Sequence, residues 1–199
     1  MEKLANRAVK AIWEMFPEED VQNSQLEDGD HIYVYRAVGY SHHGIYVGRK
    51  DELQYVIHFG KDIPSCAKCG HKENHEVKLV ITCLDCFCYE RNRPLSTSLY
   101  RYRYGAGRLS LPGTCTTLKP KPSKEVVRVA YKLLEEGFGD YDLLFNNCED
   151  FATYCKTGTA RSSQATFVAN SAALVGGATL APLSMWFYFS KKKKEKRRG

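Results

Sequence analysis

Cys148 lies in Leu143-Leu144-Phe145-Asn146-Asn147-Cys148-Glu149-Asp150-Phe151-Ala152, an apolar run broken by two asparagines, then a cysteine and two carboxylates. Asparagine is a strong N-cap residue, so Asn147 predicts a helix start with Cys148 in its first turn. Amide N–H groups and the positive dipole end of such a turn favour the thiolate, the nucleophilic form of cysteine. A thiol nucleophile also needs a base from elsewhere in the chain. His42 and His58 are candidates, in Ser41-His42-His43-Gly44-Ile45-Tyr46-Val47-Gly48 and Gln54-Tyr55-Val56-Ile57-His58-Phe59-Gly60. The plainer reading is a small buried cysteine and two structural histidines, with no work in common.

A second cluster is Cys66-x-x-Cys69 and Cys83-x-x-Cys86, with thirteen residues between the pairs. Two such pairs at this separation match four thiolates arranged tetrahedrally around zinc. Four sulfur ligands leave no open coordination position, so such an ion would pin a loop and perform no chemistry. Cys88 is a spare, and His71 or His75 is an alternative ligand. Reduced, semi-buried cysteines or a redox pair would explain the same residues without a metal.

The elements that must position these groups are legible from periodicity. Leu4, Ala5, Ala8, Val9, Ile12, Met15 and Phe16 form one stripe of an amphipathic helix over residues 4–16. Residues 29–36, 41–48 and 54–60 alternate and are rich in β-formers, so they read as strands, with Arg49 to Glu52 as a hairpin loop. A turn centred near Lys50 pairs residue i with residue 100 − i. It sets His42 opposite His58 on one face, with His43 on the other; a bulge would break that parity. The cysteine-rich residues 61–92 interrupt the sheet in this reading, and residues 98–104 form a further alternating strand. Residues 105–122 read as a loop, with no role for Cys115. Ser123 caps a helix running to about Glu136, with Val126, Val127, Val129, Ala130, Leu133 and Leu134 inward and Gly137 as its stop. The Cys148 helix ends near Lys156, before Gly158, with Cys155 in the core.

The formal charge of +6 belongs to the tail. Residues 191–199 hold seven Lys or Arg and one Glu, which leaves 22 basic and 22 acidic residues in the rest of the 199-residue chain. A basic nucleic-acid-binding domain is therefore not expected. Residues 1–16 are too charged for a signal peptide, and the cysteine spacing favours a reducing, cytosol-facing compartment. No charged residue occurs from Ser162 to Ser190, and the apolar stretch 166–189 is long enough to span a bilayer. Asn170, Gly176-Gly177 and Pro182 interrupt it, and the seven positive charges that follow oppose translocation. An interfacial or re-entrant helix whose basic end meets anionic lipid fits the charges better.

In order, Gly29-Asp30-His31-Ile32, His42-His43-Gly44-Ile45-Tyr46-Val47-Gly48, Val56-Ile57-His58-Phe59 and Asn147-Cys148-Glu149-Asp150-Phe151 resemble the lecithin retinol acyltransferase-like family. That family belongs to the permuted, NlpC-type branch of papain-like thiol enzymes. The resemblance spans roughly residues 25–158, and the Cys-Leu-Asp-Cys-Phe run at 83–87 looks most like plant-type members. It implies an α+β fold, a small antiparallel sheet packed on helices, with a zinc-knuckle-like insertion and a C-terminal apolar helix. The expected units are a helix and linker (1–24), a catalytic domain (25–160, insertion 61–92), a membrane-associated segment (161–190) and a basic tail (191–199). The resemblance makes Cys148 the nucleophile, His42 the general base and His58 the third, orienting member. Animal members usually carry His where this chain has Asp150, and Trp or Tyr where it has His43.

The activity so implied is transfer or hydrolysis of phospholipid acyl esters through a thioester, with no catalytic cofactor and at most a structural zinc. The expected partners are a phospholipid substrate and a membrane reached through the C-terminal segment. Two other readings stay open: a thiol amidase or peptidase on the same scaffold, and a catalytically silent adaptor held at a membrane.

Overall fold

The computed structural model describes residues 21, 25–37, 40–89, 98–105, 112–142 and 147–166. The expected N-terminal helix and all but the first residue of the apolar stretch 166–189 lie outside the described residues. Among those that are described, no helix is long and apolar enough to cross a membrane.

Strands β1 (His31–Ala37), β2 (Tyr40–Lys50), β3 (Leu53–Gly60), β4 (Lys78–Cys83) and β5 (Leu99–Arg101) form an antiparallel sheet in the order β4-β3-β2-β1-β5. β6 (Arg103–Tyr104) and β7 (Cys115–Thr116) make a short parallel pair. Three helices complete the described fold: α1 (Leu84–Cys88), α2 (Ser123–Glu136) and α3 (Cys148–Thr157). Alternation in the strands gives the sheet two apolar faces. On one, Ile45, Val47, Ile57 and Phe59 meet Val126 and Ala130 of α2 and Cys148, Phe151, Ala152 and Cys155 of α3. On the other, Ile32, Val34, Tyr46, Val56 and Leu99 lie under Leu84 and Phe87 of α1. Phe151 is fully buried, and side chains of that size contribute about 2–3 kcal/mol each by burial.

Four expectations are corrected. β2 and β3 are joined at Asp51 and Glu52, both left-handed with φ of 48° and 66°, so Lys50 pairs with Leu53. Positive φ at both central residues gives the twist that suits a two-residue hairpin. A bulge at Val47 then shifts the register by one, and His58 faces Gly44 instead of His42. Residues 61–92 do not simply interrupt the sheet, because 78–83 return to it as β4. The run 98–104 divides at Tyr102, where the chain leaves β1 and turns to pair with residues 115–116. Pro122 occupies the N-cap of α2, and Ser123 is its first helical residue. Gly137 does end α2, with a positive φ of 88° that favours glycine.

Candidate active site

Asn147 caps α3 as its residue type predicts, its side-chain oxygen accepting from the N–H groups of Glu149 and Asp150. Asp150 reaches back to the Asn147 N–H at 3.1 Å, which completes a capping box. Cys148 therefore opens the helix, buried, at the positive end of its dipole. Two first-turn amides are already engaged by the cap, so the helix end acts on a thiolate or an oxyanion mainly through its dipole.

Pairing between β2 and β3 begins only at Gly44, and the first residues of β2 lie beyond the end of that ladder. There the Ser41 N–H donates to Gln164 Oε1 at 3.0 Å, and the Ser41 carbonyl oxygen lies 3.8 Å from Cys148 Sγ. The nucleophile candidate is thus set against the residue that precedes His42.

His42 Nε2 and His58 Nδ1 are 2.9 Å apart, so the two histidines meet even though they are not directly opposed. They lie diagonally across the residue pair Gly44 and His58. A side chain at Gly44 would put Cβ 2.6 Å from Val56 Cγ1 and 3.0 Å from Phe87. Phe87 roofs the pair, stacked on His42 at 5.0 Å and edge-on to His58 at 5.1 Å between centroids. His58 Nε2 contacts Thr82 Oγ1 at 2.9 Å, and that hydroxyl donates to the Cys83 carbonyl at 3.2 Å. Burial, then the Arg36 guanidinium, holds His42 well below the ordinary range and His58 at about 3. Both rings are neutral at neutral pH, the state that a general base and an orienting partner would need.

His43 points to the opposite face, as expected from its place in the strand. It joins a buried polar chain in which Tyr104, His31 and His43 are linked at 2.8 Å each, and His43 Nε2 meets Ser41 Oγ and Gln164. Gln164 leads to Glu149, a fully buried carboxylate. Glu149 accepts from Tyr102 Oη at 2.9 Å, from the Ser162 and Ser163 hydroxyls at 2.7 Å each, and from the N–H groups of Ser163 and Gln164. Burial alone would raise this carboxyl. His43 nearby, the two hydroxyls and the Gln164 N–H together hold it below the usual range. Glu149 thereby ties the segment after α3 to the turn that carries Cys148. Glu149→Ala leaves these donors without an acceptor and is expected to cost roughly 3 kcal/mol or more in urea unfolding. A loss below about 1 kcal/mol would contradict that account.

The four cysteines of the two Cys-x-x-Cys pairs do come together, all within 4.8 Å of one another. Sulfur separations of 3.6, 3.9 and 4.0 Å are far longer than a disulfide of about 2.05 Å. They match the edge of a tetrahedron with metal–sulfur bonds of about 2.3 Å, roughly 3.8 Å. Burial pushes the Cys83 and Cys86 thiols up, while the Cys69 N–H brings Cys66 down to about 7. Of the alternatives, Cys88 packs at the edge of the α1 core and His75 bonds Asp62 at 3.2 Å.

The model of the family described as lecithin retinol acyltransferase matches residues 24–161. The chain belongs to that family. Its similarity to Protein LEAD-SENSITIVE 1 of Arabidopsis thaliana is 39% identity over a 166-residue alignment, 69% of this chain and 60% of that protein. A shorter stretch of 42 residues is 57% identical to human lecithin retinol acyltransferase, covering 21% of this chain and 17% of the relative. The bovine enzyme of that name matches over 43 residues at 54%, covering 22% and 18%. The chain thus spans about three-fifths of the plant relative and under one-fifth of the other two. An acyltransferase-family domain on an antiparallel α+β scaffold accounts for the order of the histidine and cysteine motifs. Thr82, Phe87 and Gln164 had no distinguishing signal in the sequence. Glu149 had one, since a carboxylate directly after a helix-opening cysteine either opposes the thiolate or is buried and bonded.

Proposed function

We propose that this chain is a cysteine-dependent acyltransferase or phospholipase acting on acyl esters of glycerophospholipids. The observation that carries the reading is the His42–His58 pair, joined at 2.9 Å and adjoining Ser41, whose carbonyl touches Cys148 at the start of α3. In this reading His42, whose ring lies on the α1 face while Cys148 lies on the helix face, takes the thiol proton at Nδ1 around the open end of β2 beyond the ladder, because Nε2 is engaged by His58. The thiolate attacks the ester carbonyl, and the dipole of α3 favours the oxyanion. Collapse breaks the ester C–O bond. The lysophospholipid alkoxide leaves with the proton from His42, and the acyl group stays on sulfur as a thioester. His42 then deprotonates water or another acceptor, which attacks the thioester and releases the Cys148 thiolate. No cofactor enters these steps.

Two further assignments belong to the same proposal. Cys66, Cys69, Cys83 and Cys86 hold one structural zinc ion. The uncharged stretch 162–190 and its basic end keep the domain on a cytosol-facing membrane surface, where the substrate is. Support for lipid esters over amides comes from that stretch and from the names of the mammalian relatives.

The test is intact mass spectrometry of the full chain after incubation with phosphatidylcholine vesicles. An added fatty-acyl mass on Cys148, absent from Cys148→Ala and His42→Ala, is the expected result. Cleavage of peptide substrates without any lipid adduct would favour the amidase. Inertness toward both would favour the adaptor.

A further inference from the structure

The thiol cluster and the histidine pair are consecutive pieces of one chain segment. Thr82 touches His58, Cys83 ends β4 and opens α1, Cys86 lies in α1, and Phe87 roofs both imidazoles. Arg36, from β1, fastens the end of this segment by donating to the carbonyls of Phe87, Cys88 and Tyr89.

The hydrogen bonds also have a direction. For His42 Nδ1 to be the basic nitrogen, Nε2 must carry the proton and donate to His58 Nδ1. His58 must then be protonated at Nε2 and donate to Thr82 Oγ1. Thr82 in turn donates to the carbonyl oxygen of Cys83, a contact the structure contains at 3.2 Å. This relay competes with the Phe59 carbonyl, 3.1 Å from His58 Nδ1, which would hold a proton on Nδ1 and leave His42 Nδ1 protonated. The tautomer of the base therefore depends on Thr82 being held between His58 and the backbone of a cysteine in the cluster.

We infer that a thiophilic divalent cation bound by Cys66, Cys69, Cys83 and Cys86 governs the catalytic base, by holding the Cys83 carbonyl and the Phe87 ring where they fix His58 and His42. This rests on the assignment of Cys148 and His42 made above and adds to it a means of control. One cysteine pair comes from the loop at 66–69 and the other from the β4–α1 junction at 83–86. Without a cation Cys83 and Cys86 are buried with weak thiol hydrogen bonds in the cluster and the Cys86 N–H on Cys83. Loss of the ion, or oxidation of the thiols that hold it, frees the end of β4 and the start of α1. Thr82 and Phe87 are then no longer held against the imidazoles. The histidine pair loses its orientation while the helix face of the sheet, with Cys148, is left in place. Thr82 is a positioning residue in this scheme, acting on the thiol only through His58 and His42.

The experiment uses the full chain and follows thiol reactivity without lipid, with the acyl adduct read separately on phosphatidylcholine vesicles. Metal content is measured by mass spectrometry of the purified protein, and iodoacetamide reaction at Cys148 is followed by peptide mapping across pH 6–9. About one zinc per chain is expected. Chelation is expected to slow the Cys148 reaction at pH 7 about tenfold and move its pH profile upward, with restoration on adding zinc. Thr82→Val with zinc retained should show the same defect, and Thr82→Ser should react as the parent does. Equal rates in zinc-loaded and chelated protein overturn the inference. If chelation unfolds the chain, the zinc-loaded Thr82→Val protein decides: a parental rate and profile there overturn it too. A zinc-dependent rate without any acyl adduct leaves this inference standing and removes the acyltransferase reading. An adduct that forms regardless of zinc does the reverse.

Discussion

Cys148→Ala is expected to lower turnover of phospholipid esters by about four orders of magnitude or more, with a near-ultraviolet spectrum like that of the parent. In the proposed mechanism the thiol is both the attacking atom and the carrier of the acyl group, and losing a covalent nucleophile removes the route itself. His42→Ala should fall in the same range, because without a base few thiolates form in a buried site near neutral pH. His58→Ala should cost less, on the order of 10²-fold, because in the proposed mechanism it orients His42 and does not touch the reacting atoms. Combining Cys148→Ala with His42→Ala should add little, since members of one catalytic unit are not additive. Turnover measured in mixed micelles checks all four proteins. A Cys148→Ala enzyme within tenfold of the parent would remove the thioester from the mechanism.

The second large effect is acid lability. His58 is held at about 3 and His43 at about 4, burial being the leading cause for each. Their value in the unfolded chain is about 6.5. Between those limits the unfolded chain binds a proton at each site that the folded chain refuses, so stability must fall as pH falls. The contribution is fully present above about pH 6.5 and drains away toward pH 4 and below. At pH 5 each of these two fully buried rings accounts for about 2 kcal/mol lost, to order of magnitude. His31 and His42 are lowered too and act in the same sense. Urea unfolding at pH 7.5 and pH 5.0 should therefore differ by several kcal/mol, and His43→Gln should flatten the slope. A difference under 1 kcal/mol between the two pH values would mean that these rings are solvated in the native state.

Much of the site is legible in the sequence because each residue announces a local preference. Asn147 could do little but cap, and α3 begins there. Alternation in residues 29–60 placed three strands within two residues of their observed ends. The spacing of the four cysteines assembled the right sulfurs. What stayed hidden depends on backbone detail and long-range contact. A left-handed Asp51-Glu52 turn has no strong signature, since glycine and asparagine are the usual markers. The return of residues 78–83 to the sheet edge depends on what β3 offers as a partner. Thr82 and Phe87 read as ordinary strand and helix residues until His58 and His42 are set beneath them. Glu149 is intelligible only once Ser162, Ser163 and Gln164 are seen to fold back onto it.

The hairpin and the bulge between β2 and β3 act together as a parity check. The turn at Asp51-Glu52 alone would pair His58 with Ile45 and send its ring to the helix face, away from His42. The one extra residue at Val47 reverses that, and the pair is restored. Neither irregularity is tolerable without the other. A one-residue deletion at the hairpin tip should separate the His42–His58 pair and abolish the proposed activity, whereas the same deletion paired with removal of the bulge should restore the two imidazoles to a common face. Length variation in this loop is therefore constrained by oddness and evenness more than by size, and relatives with a different loop are expected to have changed it in compensated steps.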